Sequence, residues 1–355
     1  MSHSGAGLPP VLGEFMMKKL LMCRVNALAV VLIFGVTALS AATGIRAAAV
    51  KGQLRIALIC SGSVTDGGWN QEGKDAIMVV KKKLHAHVSI LEHISPVRAV
   101  DVMRSYAMRG YNLIIGHGYE FLIPASQVAA MGGKTKFAVS GADTTKPGVL
   151  TLNFDLAQPS YQLGILAAML SKTGKIGFIG GEAIPSVVAC YRGFTAGAKS
   201  INPKIKVAAA YTSWDQPALS KSQAQAFIQQ GIDVIYQNVD AASRGVFEAV
   251  AQANKSHNSP VYVFGSNSDQ NNNPTCSRYT PASAVIRLDS AFLRVASQVQ
   301  RGTFKAGVAP ENLRNNVCIV VLNPKLMGTV ITPAMQKALA RAQRELLSGK
   351  VHVKG

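Results

Sequence analysis

Acidic residues are scarce in this chain: 18 Asp and Glu stand against 37 Lys and Arg, for a formal charge of +19 over 355 residues. Aromatics reach only 6%, with two Trp, and there are five Cys. No C-x-x-C pair occurs and no His stands at ligand spacing from a Cys, so no metal site is expected. The G-x-S-x-G elbow, the G-x-x-x-x-G-K-[ST] phosphate loop and the H-E-x-x-H pair are all missing, and Gly177-Phe-Ile-Gly180-Gly181 lacks dinucleotide-loop spacing. Enzymes built on those devices are excluded, and neither a catalytic residue nor a cofactor is expected. The longest apolar stretch, Ala27 to Ala41, falls short of the roughly 20 residues that span a bilayer. Basic residues are dispersed, with Lys81-Lys82-Lys83 the only run of three, and no Arg-rich helix or aromatic-interleaved patch points to nucleic acid.

What is present is globular. Apolar residues make up 48%, and 32 Gly and 15 Pro are scattered through the chain, enough length and core-forming material for two domains. Residues 1–48 read as a leader and signal peptide. Met16-Met17-Lys18-Lys19 opens a basic segment, the apolar stretch follows, and small residues at Ala47 to Ala49 provide a cleavage site. Cys23 precedes the apolar stretch, which is the wrong order for a lipoprotein, so a periplasmic protein is expected. Loss of the leader removes Lys18, Lys19, Arg24, Arg46 and Glu14, leaving 33 basic against 17 acidic residues, or +16. Four Cys remain; Cys60 ends a strand-like run as a core residue, and Cys276 with Cys318 is the pair expected if a disulfide forms.

Short β-rich runs alternate with amphipathic stretches: Leu54 to Ile59, then a helix from Asn70 to Leu84, then Val88 to Leu91, Ala99 to Met108, Asn112 to Ile115, Leu122 to Met131 and Lys136 to Val139. The pattern restarts after Val149 to Asn153 and runs through Val261 to Phe264. Alternating strands and helices mean parallel sheets covered on both faces. The predicted fold is α/β, two doubly wound Rossmann-like lobes joined by a multi-strand hinge. The expected lobes are 49–155 plus about 283–312, and 156–282 plus about 313–350. Such lobes close around small ligands, which bind beyond the carboxyl ends of the strands.

The loop after the first strand reads Ser61-Gly-Ser-Val-Thr-Asp66-Gly-Gly-Trp69-Asn70-Gln71. An aromatic face beside Asp66 and Asn70 suits a planar heterocycle or a sugar ring. The same residues equally suit a Trp that caps the core and polar groups that cap a helix. Trp214 is expected at the hinge or on a lobe surface, and His117 as a hydrogen-bonded loop residue.

Asp66-x-x-Trp69-Asn70-Gln71 resembles the D-x-S-F-N motif of the basic membrane protein family, the purine-nucleoside-binding type of solute-binding component of ABC importers. The likeness continues through Gly180-Gly181-Glu-Ala-Ile184-Pro185, Gly193-Phe194-Thr-Ala-Gly197, Gly231-Ile-Asp233-Val-Ile235 and Gly265-Ser-Asn-Ser-Asp269-Gln270. The resemblance implies a periplasmic binding protein of type I-like fold, a purine nucleoside or nucleobase as ligand, and an ABC permease as membrane partner. By position it makes Trp69 the stacking residue, with Asp66 and Asn70 as polar contacts. Tyr119, Glu120, Tyr191, Asn238, Asp240, Asn267 and Asp269 complete the implied ligand-binding set. Asn267 stands where the family commonly has an Asp that grips ribose, and Ser283-Ala-Val-Ile-Arg287 lacks the family's Lys, so a free base such as adenine, or another small heterocycle, becomes a candidate beside a nucleoside. A periplasmic sensor feeding a chemoreceptor or kinase, or a sugar-binding protein of the same fold, would share this organisation.

Overall fold

The computed structural model describes residues 52–256 and 259–353; the expected leader and signal peptide lie outside the described residues. Residues Val50–Gly355 form one compact unit that contains every described element. In chain order these are β1 (Arg55–Cys60), α1 (Trp69–Leu84), β2 (His87–Leu91), α2 (Pro96–Met108), β3 (Leu113–His117), α3 (Leu122–Ala129), β4 (Lys136–Ser140), β5 (Val149–Phe154), α4 (Ala157–Leu170), β6 (Lys175–Gly180), α5 (Pro185–Ile201), β7 (Lys206–Tyr211), α6 (Pro217–Gln229), β8 (Val234–Asn238), α7 (Ser243–Ser256), β9 (Tyr262–Asn267), β10 (Ala282–Ile286), α8 (Leu288–Gln300), β11 (Gly307–Glu311), β12 (Cys318–Leu322) and α9 (Pro333–Leu347). Central strands are buried throughout: β3 and β8 are buried at every position, as strands covered on both faces must be, with polar residues only at their carboxyl ends. Helices α2, α5, α6 and α9 each begin on a proline, whose missing N–H costs nothing at the first turn.

The strands form two sheets of six, in the orders β11-β5-β4-β3-β1-β2 and β12-β10-β9-β8-β6-β7. All pairings are parallel except β10 with β12. This is the two-lobed, doubly wound arrangement that the alternating runs predict. The chain passes between the sheets three times, at 154–157, 286–288 and 311–318. The expected return to the first lobe near 283 falls at about 287 instead. The expected bounds put β10 in the first lobe, but its Ser283 pairs with Gly265 of β9 in the second sheet. Only α8 and β11 go back.

At the crossings the chain is stapled to itself. Asp155 N–H donates to the Glu311 carbonyl at 2.8 Å and Arg287 N–H to the Val317 carbonyl at 2.8 Å. The buried Glu311 carboxylate is paired with Arg294 and accepts from Asn315 Nδ2. The Cys276–Cys318 disulfide does not form, and all four cysteines are buried and free. Cys318 belongs to the core that includes α4 and α8, Cys276 to a separate core beneath α6 and α7, and the Cys318 thiol donates to the Glu311 carbonyl at 3.2 Å.

Helix α4, the first element past the hinge, lies directly on α5. A Cβ at Gly164 would run into the Phe194 carbonyl, and one at Gly197 into the Tyr161 carbonyl. Backbone packed on backbone leaves no room for a methyl group. Gly197→Ala is therefore expected to lower stability by ~1–3 kcal/mol, read by urea denaturation; an unchanged midpoint would show that the two helices separate freely.

Candidate functional site

In each sheet the first strand has its successors on opposite sides: β1 lies between β2 and β3, and β6 between β7 and β8. Doubly wound sheets bind ligands at this switch point, beyond the carboxyl ends. The segments there are 61–70 after β1, His117 at the end of β3, Gly180-Gly181 after β6 and Asn238–Asp240 after β8.

The first segment is organised by Asp66. One carboxylate oxygen accepts from the N–H groups of Gly68 at 2.8 Å and Gln71 at 3.1 Å. The other accepts from the Asn70 N–H at 3.2 Å and from Asn70 Nδ2 at 2.8 Å. Asn70 Oδ1 in turn accepts from the Gly62 N–H at 3.3 Å. An anion thus meets the otherwise unpaired N–H groups at the positive end of α1, and the helix-capping role proposed for Asp66 and Asn70 is the one their bonds perform.

That clamp sets Trp69. Its indole stacks on the His117 imidazole, centroids 4.1 Å apart and planes 12° apart, and meets Phe154 edge-on at 6.1 Å. His117 Nε2 lies 2.7 Å from the Trp69 carbonyl and Nδ1 2.7 Å from Ser140 Oγ. A carbonyl only accepts, so Nε2 carries the proton and Nδ1 accepts from the serine. Burial lowers the His117 pKa to about 4. The ring is a neutral, fixed support beneath the indole, not a loop residue.

The facing wall comes from the second lobe. Asn267 Nδ2 donates to Asp240 Oδ1 at 3.0 Å and to Asn238 Oδ1 at 3.5 Å. Asp240 and Asn267 both hold left-handed backbone, with φ of 45° and 62°, a conformation that Asp and Asn adopt most readily among residues with a Cβ. Two non-glycine residues in this region, side by side at a crevice, are local strain held where side chains must be aimed.

The walls touch. A Cβ at Gly68 would lie 2.8 Å from Asp240 Cβ and 3.1 Å from the Ala241 nitrogen, so the first turn of α1 rests on the turn that follows β8. Glu72 reaches across to Ser268, which hydrogen-bonds its carboxyl, while Glu72 Oε2 is shut off from solvent without a hydrogen-bond partner. Desolvation, with the charge of Asp240 next, raises the Glu72 pKa well above the carboxylate range. Desolvation and the charge of Asp66 raise Asp240 to about 7, opposed by the bond from Asn267. Carboxyls from both lobes converge here, and among the described residues the charges that act on them are those of other carboxylates.

Of the ten residues implied by resemblance, Asp66, Trp69, Asn70, Asn238, Asp240 and Asn267 come together at this crevice. Tyr119 is 59% exposed. Glu120 folds back over Gly118, Tyr191 packs against Phe178, and Asp269 is exposed and caps its own turn through the Asn271 N–H at 3.0 Å. Three residues were missed. Glu72 follows Trp69 by three positions on one helix face, which was the available signal. Trp214 covers Gly181, and its carbonyl accepts from the Ala242 N–H at 2.9 Å; it stands at the crevice and not at the hinge, because β7 ends on the same side as β6 and β8. His117 carried no sequence signal for stacking. Among the described residues no group of His, Cys, Asp and Glu could hold a metal ion.

Two outcomes follow. Asp240 has a pKa raised from 3.8 to about 7, so its contribution to stability is present below pH 4 and disappears as pH rises toward 7. His117, lowered from 6.5 to about 4, contributes above pH 6.5 and loses that as pH falls toward 4. The slopes oppose each other, so the difference between wild type and Asp240→Asn is the informative curve: melting temperatures should show the variant gaining on wild type from pH 4 to 7, and parallel curves would mean that Asp240 is solvated. Gly68→Ala should hold the lobes apart, increasing the radius of gyration in small-angle scattering at unchanged secondary structure; an unchanged radius would mean that the Gly68–Asp240 contact does not limit closure.

The chain is 26% identical over 321 residues to the ABC transporter nucleoside-binding protein BmpA of Lactococcus lactis, covering 86% of this chain and 90% of the relative. It is 28% identical over 231 residues to a purine-binding protein of Brucella abortus, covering 63% of each. In fold it is similar to a solute-binding protein of an Aeropyrum pernix ABC transporter system, with a TM-score of 0.74 at 19% identity over 84% of this chain and 92% of that one. Residues 53–324, nearly the whole of the two lobes, match the PnrA-like substrate-binding proteins of ABC transporters, and the chain belongs to that family, Bmp.

Proposed function

We propose that this protein captures a purine base or nucleoside outside the cytoplasmic membrane, between its two lobes, and delivers it to an ABC permease. The observation that carries the reading is the Trp69 indole, backed on one face by His117 and next in the chain to Gly68, which meets Asp240 of the row Asn238, Asp240 and Asn267. A purine is a flat π system with donors and acceptors around its edge. Its face stacks on the indole, and Asn267, whose Nδ2 is held by Asp240 and Asn238, keeps its amide oxygen to accept from the edge, while Asn238 spends its Nδ2 on Cys190 Sγ and holds Asn267 in place. The partnerless Glu72 Oε2 accepts from an exocyclic amine or ring N–H.

Both walls are needed for this, so the ligand favours closure by the contacts it makes only in the closed state. Ligand donors also stabilise carboxyl groups that would otherwise be crowded together without water. Asn267 offers no charge to a ribose diol, since charge-assisted bonds need an ionised partner, and the base supplies most of the binding energy. The relatives from L. lactis and B. abortus, described as nucleoside-binding and purine-binding, agree with a ligand of this class.

Trp69→Ala is expected to weaken binding of adenine, guanine or their nucleosides by about 1 to 3 kcal/mol, the range for loss of one base–aromatic stack, measured by titration calorimetry. Asn267→Asp is expected to improve nucleosides over free bases. Equal affinity in wild type and Trp69→Ala would remove the indole from the site, and stabilisation by sugars with none by purines would overturn the ligand class.

A further inference from the structure

We propose that the pole of the first lobe farthest from the crevice is a docking surface for a lipid bilayer bearing anionic headgroups. The first sheet is parallel throughout, so all six strands begin at one end and the crevice occupies the other. Around those beginnings stand Lys81, Lys82 and Lys83 in the last turn of α1, Arg109 just after α2, Lys134 and Lys136 leading into β4, and Arg301 and Lys305 between α8 and β11, all of them exposed. Arg55 at the start of β1 donates to the Arg109 carbonyl at 2.7 Å, which ties the end of α2 to this pole. None of the exposed lysines here forms an ion pair among the described residues.

Acidic residues avoid the same pole. Glu92, Glu120, Asp143 and Asp155 follow the carboxyl ends of strands, Glu311 ends β11, Glu72 and Asp289 lie in first turns of helices, and Asp101 is paired with Arg104 at 3.1 Å. Among the described residues no Asp or Glu of this lobe lies at a strand beginning or in the last turn of a helix. Lysines at the end of α1 complement the helix dipole, but that does not account for Lys134, Lys136 and Lys305, which lie outside helices.

The second observation is apolar. Met108 is 80% exposed and Met131 57% exposed, the one ending α2 beside Arg109 and the other just before Lys134. Exposed methionine side chains at a pole of basic residues are the composition of an interfacial footprint: the charges meet phosphate and the apolar groups enter the boundary of the acyl region. The far pole of the second lobe is also basic, with Lys172, Lys175, Lys199, Lys204, Lys206 and Lys255 exposed, but among the described residues its one exposed large aliphatic is Ile201 at 44%. Docking through the first lobe leaves the crevice facing away from the lipid and open to ligand, a capture pose that the protein leaves before its crevice can meet a permease.

The test is sedimentation of the Val50–Gly355 unit with vesicles of equal parts phosphatidylglycerol and phosphatidylcholine, against phosphatidylcholine alone. Wild type should favour the anionic vesicles and release from them at high salt. Reversal of Lys81, Lys82, Lys83, Lys134 and Lys136 to Glu should reduce that binding by about tenfold or more, while reversal of Lys172, Lys199, Lys204, Lys206 and Lys255 to Glu, the same charge change, should leave most of it. Lys→Gln at the first five positions repeats the test should the reversed chain fail to fold, and Met108→Ser with Met131→Ser should weaken binding several-fold with the salt dependence retained. No preference for anionic vesicles, or an equal or greater loss in the second-lobe variant, overturns the proposal.

Discussion

Four hydrogen bonds converge on the Asp66 carboxylate, three from backbone N–H groups that open α1 and one from the Asn70 amide. The turn they hold leaves Trp69 as the first residue of the helix, with its indole over His117 and its carbonyl on the imidazole Nε2. It also puts Gly68 on the surface that meets Asp240 of the other lobe. Without the clamp the indole would lose its angle and the first lobe its contact with the second. In the proposed reading Asp66 therefore acts on the ligand through geometry, since its own lone pairs are spent inside the loop.

The second constraint is electrostatic. Asp240 and Glu72 lie out of water near each other and near Asp66, and burial pushes both Asp240 and Glu72 upward. A closed cleft without ligand carries that cost; a ligand offering N–H donors offsets it, because a hydrogen bond to the ionised form favours that form. The strained φ of Asp240 and Asn267 points the same way, since the backbone is held in a sparsely populated region to aim two side chains into one crevice. On the opposite wall His117 stays neutral and rigid, so the indole rests on a support whose charge does not vary near neutral pH.

Much of the fold was legible because parallel strands covered on both faces must be apolar runs, and helices that start on proline announce themselves. The elements that escaped are those decided by partners far along the chain. Strand β11, Gly-Val-Ala-Pro-Glu, carries a proline and alternates in burial; only its pairing with β5 makes it a strand. Strand β10 follows the second lobe in sequence order without saying which sheet takes it. The site divides similarly. Trp69 was legible from its loop, while the choice between ligand contact and helix cap for Asp66 rested on which hydrogen bonds close, a question of ångströms. Trp214 was misplaced because its neighbours, Gly181 and Ala242, come from two other segments. Glu72 looked like an ordinary acidic residue in a first helical turn until the second lobe buried it.

Trp69 and Trp214 are the two tryptophans in the chain, and both stand at the crevice, so intrinsic fluorescence reports on it directly. In a Trp214→Phe variant the emission comes from Trp69 alone. Titration with adenine, guanine and their nucleosides should quench that emission saturably, because the base stacks on the indole. Emission that no purine base or nucleoside alters would contradict the placement of the ligand on Trp69, and with it the account of how this cleft works.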